Sequence, residues 1–507
     1  MNLENALIEI TEIFNTYNEW LLIGASGKTF ALQRNEIELT LERGKILFAF
    51  LDEKGFQTWR IVTFEKIKNG ILLDLTRNFE KEREKIRLVP RVLANELTDS
   101  IELARLEKAN QIANLLISEN QNVKLVRVAL NKETGRFAKI IFSNQNGKQF
   151  AALADVSDAA TPENLLTTAI LWLVRLERRK KNPIAEVWIL TEKKRTKDLQ
   201  KLHMLLRQNW KDKIKLFEIS RKGVKSQKSV KNSLNQNLKR VEPISFNNLW
   251  REKTRELKLA ENPQTSYAAQ EIIKLAPEKV DLLFTKHGET LRFLGLPFAR
   301  VRKISGKEKI WFGIESKRQI LNRSNLEEFQ ELIENLQTYR RFGSPNKRHD
   351  LFHLAPEAWL EAVLRRNIKQ LDANLILSPL YNQFRAEKDK LDLLALRRDG
   401  RLIIIELKVS PDREMIFQAA DYWRKIEMQR KSGNLQKAKI FGDLEIADTP
   451  TICYLVAPTL SFHRDFDFLA KTISKEIEVY RFDINENWRE SLKVLRRKKL
   501  TEINRIF

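Results

Sequence analysis

The residues that form covalent cross-links and soft-metal sites are scarce in this 507-residue chain. Its single cysteine, Cys453, excludes an intramolecular disulfide and any cysteine-based zinc cluster. Cys453 lies in the apolar run TICYLVAP, which predicts a buried, inert thiol rather than a nucleophile. The five histidines show no metal-ligand spacing, so we assign none of them to a site.

Long apolar segments are absent as well. No apolar run approaches the roughly 18 residues that are needed to span a bilayer. The N-terminal stretch MNLENALIEI contains no basic region followed by an apolar block, which is the pattern of a secretory signal. The sequence therefore predicts a cytoplasmic protein that does not contact a membrane.

A complete phosphate-binding loop is missing too, although the fragment GASGKT at 24–29 resembles part of one. The full motif requires a glycine five residues before its second glycine, and Leu22 occupies that position. We therefore expect GASGKT to form a hairpin turn between two strands.

Basic residues, in contrast, are abundant. Lys and Arg number 91 against 67 Asp and Glu, which gives a net charge of +24. An excess of this size favours a polyanionic partner, with nucleic acid preferred over a membrane surface. A basic protein with no such partner could have the same composition, so charge alone does not define the function.

The length and the spacing of apolar residues predict a multidomain α/β protein. The segment 221–240 carries seven basic residues and no acidic one, which is typical of a linker or of an arm that binds nucleic acid. The predicted domains are a β-rich N-terminal domain at 1–95, an α/β domain at 96–220, a basic linker at 221–264, a small α+β domain at 265–350 and an α/β domain at 351–507.

The stretch RLIIIELKVS, Arg401–Ser410, has the strongest chemical signal. Its apolar run is typical of a buried strand, yet Glu406 and Lys408 project from one side of that strand's end. The Asp399-Gly400 pair predicts a hairpin that brings Asp392 to the same point. Two converging carboxylates raise each other's pKa unless a cation lies between them, which favours Mg²⁺ or Mn²⁺. Such a site hydrolyses phosphodiesters, with Lys408 orienting the attacking water or neutralising developing charge.

Asp392 followed by Glu406-Leu407-Lys408 resembles the PD-(D/E)XK nuclease superfamily, which has the restriction-endonuclease-like fold. Glu361 on the preceding helix, and Gln418 with Tyr422 on the following one, extend the resemblance over residues 355–485. The run DLLALRRDGRLIIIELK is closest in style to archaeal and actinobacterial mismatch and junction endonucleases, although Leu391 replaces the usual proline.

The resemblance implies an αβββαβ core with a mixed sheet and the activity of a DNA endonuclease, in preference to an exonuclease. It implies that Asp392, Glu406 and the Leu407 carbonyl hold the ion and that Lys408 positions the water. Glu361 and Gln418 would support the site.

Other interpretations remain open at this point. Glu406 and Lys408 could form an isolated salt bridge, and Asp389 could replace Asp392. Glu361 and Gln418 could be ordinary helix residues. A nucleic-acid-binding protein with a nuclease-like fold and no turnover is the alternative function, and RNA is an alternative substrate.

An internal similarity links the two α/β domains. KQFAALADVS, 148–157, aligns with RLIIIELKVS without a gap, and both stretches are followed by a helix and a strand pattern. Leu153, Asp155 and Lys139 then take the places of Glu406, Lys408 and Asp392. We therefore hypothesise that 96–220 is a degenerate nuclease-like domain, with chance similarity between two α/β units as the alternative.

Overall fold

Four β-sheets organise the part of the chain that the structure describes. The computed structural model describes residues 3–24, 29–52, 55–67, 70–77, 80, 82–91, 94–120, 122–221, 236–251, 254, 264–285, 288–304, 307–314, 318–378 and 392–501. The chain falls into two compact units, Met1–His203 with Asn209–Pro243, and Met204–Gln208 with Ile244–Phe507. The predicted multidomain α/β class with a β-rich N-terminal region is confirmed.

The first sheet is antiparallel and has seven strands in the order β2-β1-β7-β6-β5-β4-β3. Its elements are α1 Leu3–Phe14, β1 Glu19–Gly24, β2 Thr29–Gln33, β3 Ile37–Glu42, β4 Lys45–Asp52, β5 Gly55–Ile67, β6 Gly70–Arg77 and β7 Glu82–Pro90. Ile23 lies opposite Thr29, so GASGKT joins two antiparallel strands as predicted, although 25–28 lie outside the described residues. The charged sequence of β7 masked its strand character, because only its last residues are buried.

The second sheet is mixed and has the order β13-β12-β11-β10-β9-β8. Its elements are α2 Ala94–Glu119, β8 Lys124–Leu130, β9 Phe137–Ser143, β10 Gln149–Asp155, α3 Pro162–Glu177, β11 Val187–Glu192, α4 Lys193–Met204, α5 Gln208–Lys213, β12 Ile214–Arg221 and β13 Gln236–Val241. Strand β13 falls within the predicted linker 221–264, which is a difference from the sequence expectation. A polar segment can serve as an edge strand because it pairs through its backbone on one side only.

The third sheet is an antiparallel meander in the order β14-β15-β16-β17-β18. Its elements are α6 Tyr267–Lys274, β14 Val280–Thr285, β15 Gly288–Phe293, β16 Leu296–Ile304, β17 Lys307–Phe312, β18 Gln319–Ile320, α7 Leu326–Tyr339 and α8 Asp350–His353. The apolar core of this sheet continues through the following helix into the fourth sheet, and Phe298, Trp359 and Leu407 belong to one buried cluster.

The fourth sheet is mixed and has the order β19-β20-β21-β22-β23-β24. Its elements are α9 Pro356–Arg366, β19 Leu375–Leu377, β20 Leu393–Arg397, β21 Leu402–Leu407, α10 Met415–Lys431, α11 Asn434–Lys437, β22 Ile452–Pro458, α12 Phe466–Ala470, β23 Glu478–Ile484 and β24 Val494–Lys499. The sequence predicts a final basic helix over 488–499, but residues 494–499 instead pair with β23 as an antiparallel edge strand.

The second and fourth sheets share one topology. In each, the first three strands are antiparallel, the third, fourth and fifth are parallel, and the sixth is antiparallel. Both place a helix before the first strand and another between the third and fourth strands. Among the residues that the structure describes, no helix is both long enough and apolar enough to cross a bilayer.

Candidate active site

The β20–β21 hairpin brings Asp392 to the end of β21. The hairpin turns at Asp399 and Gly400, where a φ of 79° suits glycine. Leu393 pairs with Ile405, so the residue before β20 lies beside the last residues of β21. The backbone N–H of Leu407 donates a hydrogen bond of 2.9 Å to Oδ2 of Asp392. The predicted convergence of Asp392 with the Glu406-Leu407-Lys408 segment is therefore present.

The buried Glu406 and the half-buried Lys408 form an ion pair at this strand end. Glu406 is only 3% exposed, and Nζ of Lys408 donates a hydrogen bond of 3.0 Å to its Oε1. The same ammonium lies 3.7 Å from Oδ2 of Asp412 in the loop that follows. The second oxygen of Glu406, Oε2, is buried and has no hydrogen-bond partner among the described residues. One carboxylate oxygen is thus available to a ligand.

The electrostatics of the pair reflect this burial. Burial raises the pKa of Glu406 well above its ordinary value, and the negative charge of Asp392 raises it further, while Lys408 opposes the shift. Burial lowers the pKa of Lys408, but the adjacent ionised Glu406 more than compensates and the net shift is upward. A proton or a metal cation would relieve the unfavourable concentration of negative charge between Glu406 and Asp392.

Glu357, which the sequence reasoning did not select, acts on this site. It lies in the first turn of α9, and its charge raises the pKa of both Glu406 and Lys408. Glu361 follows one helical turn later on the same face of α9, because residues four apart are neighbours on a helix. The sequence pattern therefore contained a signal for an acidic residue on this helix face but could not choose between the two positions.

The structure pairs Glu361 with arginines. Glu361 is 4% exposed, and its Oε1 lies 3.4 Å from Arg292 and 3.7 Å from Arg365. Arg292 also binds Asp281 at 2.7 Å, so the network joins α9 to the third sheet. Among the described residues, Glu361 makes no hydrogen bond to Asp392, Glu406 or Lys408. A catalytic role for Glu361 stays a prediction, and its observed contacts are structural.

A buried arginine anchors the start of α9. The Arg340 side chain is fully buried, and its guanidinium lies 4.8 Å from the ring centre of Trp359. Burial and the nearby Arg489 lower the pKa of Arg340 to about 9. The guanidinium donates hydrogen bonds to five backbone carbonyls, those of Phe293, Leu294, Leu351, Leu354 and Ala355. These bonds tie the third sheet to the residues that lead into α9.

The local backbone explains why such an anchor is needed. Ala355 has a φ of 43°, a left-handed conformation that is unfavourable for a residue with a side chain. The β15–β16 turn packs against the next turn of the helix, where a Cβ at Gly295 would collide with the carbonyl oxygen of Ala358. The third sheet therefore holds the first turn of α9, and with it Glu357, in a defined position.

Gln418 lies in the first turns of α10, the helix that packs against β21 and β22. Its amide oxygen is buried and has no hydrogen-bond partner among the described residues. Tyr422 follows one turn later on the same helix. The structure gives Gln418 no hydrogen bond to Asp392 or Glu406 in the part of the chain that it describes, so its supporting role stays a prediction. Asp389, the alternative to Asp392, lies outside the described residues.

The donor set suits a hard divalent cation. The unpartnered oxygen of Glu406 and the nearby carboxylate of Asp392 are oxygen ligands, which Mg²⁺ and Mn²⁺ prefer. Within the described ranges, no three His, Cys, Asp or Glu side chains already converge on a common point as a metal cluster. A metal site would therefore consist of two carboxylates completed by backbone oxygen and water, with the Leu407 carbonyl as the predicted backbone ligand.

Comparisons with known proteins identify no family for this chain. No family model matches, and no curated protein matches. The solved structure of EndoMS in its apo form is similar over 37% of this chain and 82% of its own, with 11% sequence identity and a TM-score of 0.15. A similarity at this score gives no basis for assigning a function. The chemistry of the site must therefore be inferred from the residues of this chain.

Proposed function

We propose that this protein is a metal-dependent nuclease that hydrolyses phosphodiester bonds in DNA by internal cleavage. The observation that carries the proposal is the buried Glu406 carboxylate, which has Asp392 beside it, a raised pKa and one oxygen without a partner in the described part of the chain. Burying an unpaired polar atom costs about 1–3 kcal/mol. A strand end that retains this unfavourable arrangement is typical of a binding site.

Asp392, Glu406 and the Leu407 carbonyl would hold Mg²⁺ or Mn²⁺. The ion would supply a bound water of lowered pKa and would stabilise negative charge on the phosphorus oxygens. The burial of Glu406 would strengthen the electrostatic interactions within this ligand set.

Lys408 would assist the attack on phosphorus. The carboxylates of Glu406 and Asp412 lie close to the Lys408 ammonium group and favour its charged form beside the acidic pair. From this position it can orient the attacking water and neutralise charge that develops in the transition state. Glu357 adds negative charge that favours cation binding, and Gln418 would support the site from α10.

The charge of the whole chain is consistent with a nucleic-acid substrate. The net charge of +24 would attract the phosphate backbone without selecting a sequence. Binding should therefore weaken steeply as the salt concentration rises.

A cleavage assay tests the proposal. The wild-type protein is incubated with Mg²⁺ or with a chelator and with duplex, single-stranded, branched and mismatched DNA, with RNA as a further substrate. Asp392→Ala and Lys408→Ala should each lower the cleavage rate by at least about 10²–10³-fold while DNA binding is retained. Asp399→Ala, at the opposite end of the same hairpin, is the matched control and should cleave normally.

The outcomes separate the possible functions. Cleavage that survives chelation or both variants would overturn the proposed mechanism. Salt-sensitive binding without any cleavage would support the alternative of a non-catalytic nucleic-acid-binding protein. Preferential cleavage of RNA would retain the site and replace the substrate.

A further inference from the structure

The second and fourth sheets match in register as well as in strand order. Ile140 pairs with Ala152 in the second sheet, and Leu393 pairs with Ile405 in the fourth, so both partners are displaced by the same 253 residues. In both sheets this third strand then pairs with a parallel fourth strand, with Leu153 opposite Ile189 and Glu406 opposite Leu455. The ungapped alignment of the two stretches is therefore matched by the pairing of each with its preceding strand.

We call the second sheet the first copy of this arrangement and the fourth sheet its second copy. The first copy lacks the acidic pair. Lys139 lies opposite Leu153, at the positions that Asp392 and Glu406 occupy in the second copy. Leu153 is completely buried and offers no metal ligand. A cation and an apolar side chain have therefore replaced the two carboxylates of the candidate active site.

The carboxylate of Asp155, at the end of β10, has a structural role in the first copy. Asp155, at the position of Lys408, accepts hydrogen bonds of 2.8 Å from both the backbone N–H and the hydroxyl of Ser157. Its other oxygen accepts from the N–H of Ala160 at 3.2 Å and forms an ion pair with Arg195. Both oxygens of Asp155 are thus satisfied, in contrast to those of Glu406.

The cleft at this end of the first copy is filled by further ion pairs. Lys108 reaches Asp158 at 2.8 Å and Glu192 at 3.9 Å. The remaining cavity has a volume of only about 60 Å³. The acidic groups here are paired with cations of the chain itself and are not arranged to hold a metal ion.

Both halves of the chain nevertheless retain the properties of a polyanion-binding protein. Residues 1–243 contain 43 Lys and Arg against 30 Asp and Glu, and residues 244–507 contain 48 against 37. Each half also has an antiparallel sheet followed by a six-stranded mixed sheet of the same order. The halves differ in chemistry at the strand ends rather than in architecture or in the sign of their charge.

We infer that the chain carries one hydrolytic centre in two halves of the same architecture, and that it therefore nicks duplex DNA, cutting one strand per binding event. The inference rests on the proposed nuclease function. The strands of a duplex are antiparallel, so a site that is oriented for one strand is not oriented for the other. With Leu153 and Lys139 in the first copy, a single chain supplies only one.

Covalently closed, supercoiled circular DNA provides the test. With full-length protein in excess and Mg²⁺ present, nicked circles should accumulate first, and linear DNA should appear only later, through an independent second event. Lys139→Ala, the positional match of Asp392→Ala, should leave this time course unchanged. In mixtures of wild type with Asp392→Ala, the nicking rate should fall in proportion to the wild-type fraction.

The failures can be told apart. Linear DNA that forms without a nicked intermediate would overturn the single-centre inference and leave the nuclease function standing. Cleavage of single-stranded DNA, with closed circles left intact, would overturn it as well. Loss of nicking in a folded Lys139→Ala variant would show that the first copy takes part in hydrolysis. Absence of cleavage on every nucleic acid would remove the nuclease function itself, and the inference with it.

Discussion

The two mixed sheets of this protein have one topology, but the carboxylates at their strand ends differ in whether both oxygens have partners. In the second sheet, the carboxylate at the end of β10 is bonded to neighbouring N–H groups, a hydroxyl and an arginine. In the fourth sheet, Oε2 of Glu406 has no hydrogen-bond partner among the residues that the structure describes, and burial raises the pKa of this carboxyl group. Topology thus determines where a site can lie, whereas the partners of a few side chains determine whether a ligand is needed there. The variants below test this difference.

The largest change in cleavage rate should distinguish the two glutamates on α9, Glu357 and Glu361. Glu357→Gln should lower the cleavage rate by about 10–100-fold, as expected for a group that acts through the residues holding a metal. Its stability should change little, because Glu357 is half-buried at the helix start. The matched variant Glu361→Gln should cleave normally but lose about 1–3 kcal/mol of stability, since buried Arg292 loses a charged partner.

Steady-state cleavage rates and chemical denaturation of both variants distinguish these roles. If folded Glu361→Gln is inactive while Glu357→Gln cleaves normally, the role assigned to Glu361 from the sequence is right and that of Glu357 is wrong.

A smaller effect, on stability rather than on cleavage, is expected from a substitution in the first copy. Asp155→Asn should lower the free energy of unfolding by about 1–3 kcal/mol, because the amide can satisfy only some of the donors around Asp155 and loses the ion pair with Arg195. Cleavage by the folded protein should be unaffected. A rate that falls with the variant's stability intact would mean that the first copy has a catalytic role, and the contrast between the sheets would then disappear.

The smallest effect is a difference in pH dependence without metal. A carboxyl group whose pKa is raised on folding favours the folded state most below its unfolded pKa, about 4.3, and this contribution is lost as the pH rises through the folded pKa. In a chelator, wild type should therefore become less stable relative to Glu406→Gln as the pH rises above about 5.

Thermal melts at several pH values measure this difference. Addition of Mg²⁺ should stabilise wild type, increasingly at higher pH, and should have little effect on Glu406→Gln. Parallel pH profiles for the two proteins would mean that Glu406 is not a strained carboxylate.

Local sequence patterns were sufficient to predict that Asp392 lies beside Glu406 and Lys408. The alternation of side chains along β21 places Glu406 and Lys408 on one side, and the Asp399-Gly400 turn brings Asp392 to them. The same alternation made the alignment of the two copies meaningful, since a register error would have moved every side chain to the other face.

Local patterns were insufficient where a contact depends on the placement of another element. Strand β7, within the first sheet, and the edge strands β13 and β24 are rich in charged or polar residues, and they form because neighbouring strands offer backbone groups. Likewise, α9 presents two glutamates at helical spacing, and the sequence does not determine which of them faces the sheet end.

The sequence by itself determined which strand end carries the acidic pair and which of the two aligned strand ends lacks it, because strand periodicity and turn chemistry act over only a few residues. Only the tertiary structure decided that Glu357 acts on the site while Glu361 binds Arg292. The physical reason is that the position of α9 depends on distant contacts: the five carbonyls gathered by Arg340 and the close packing of Gly295 on Ala358.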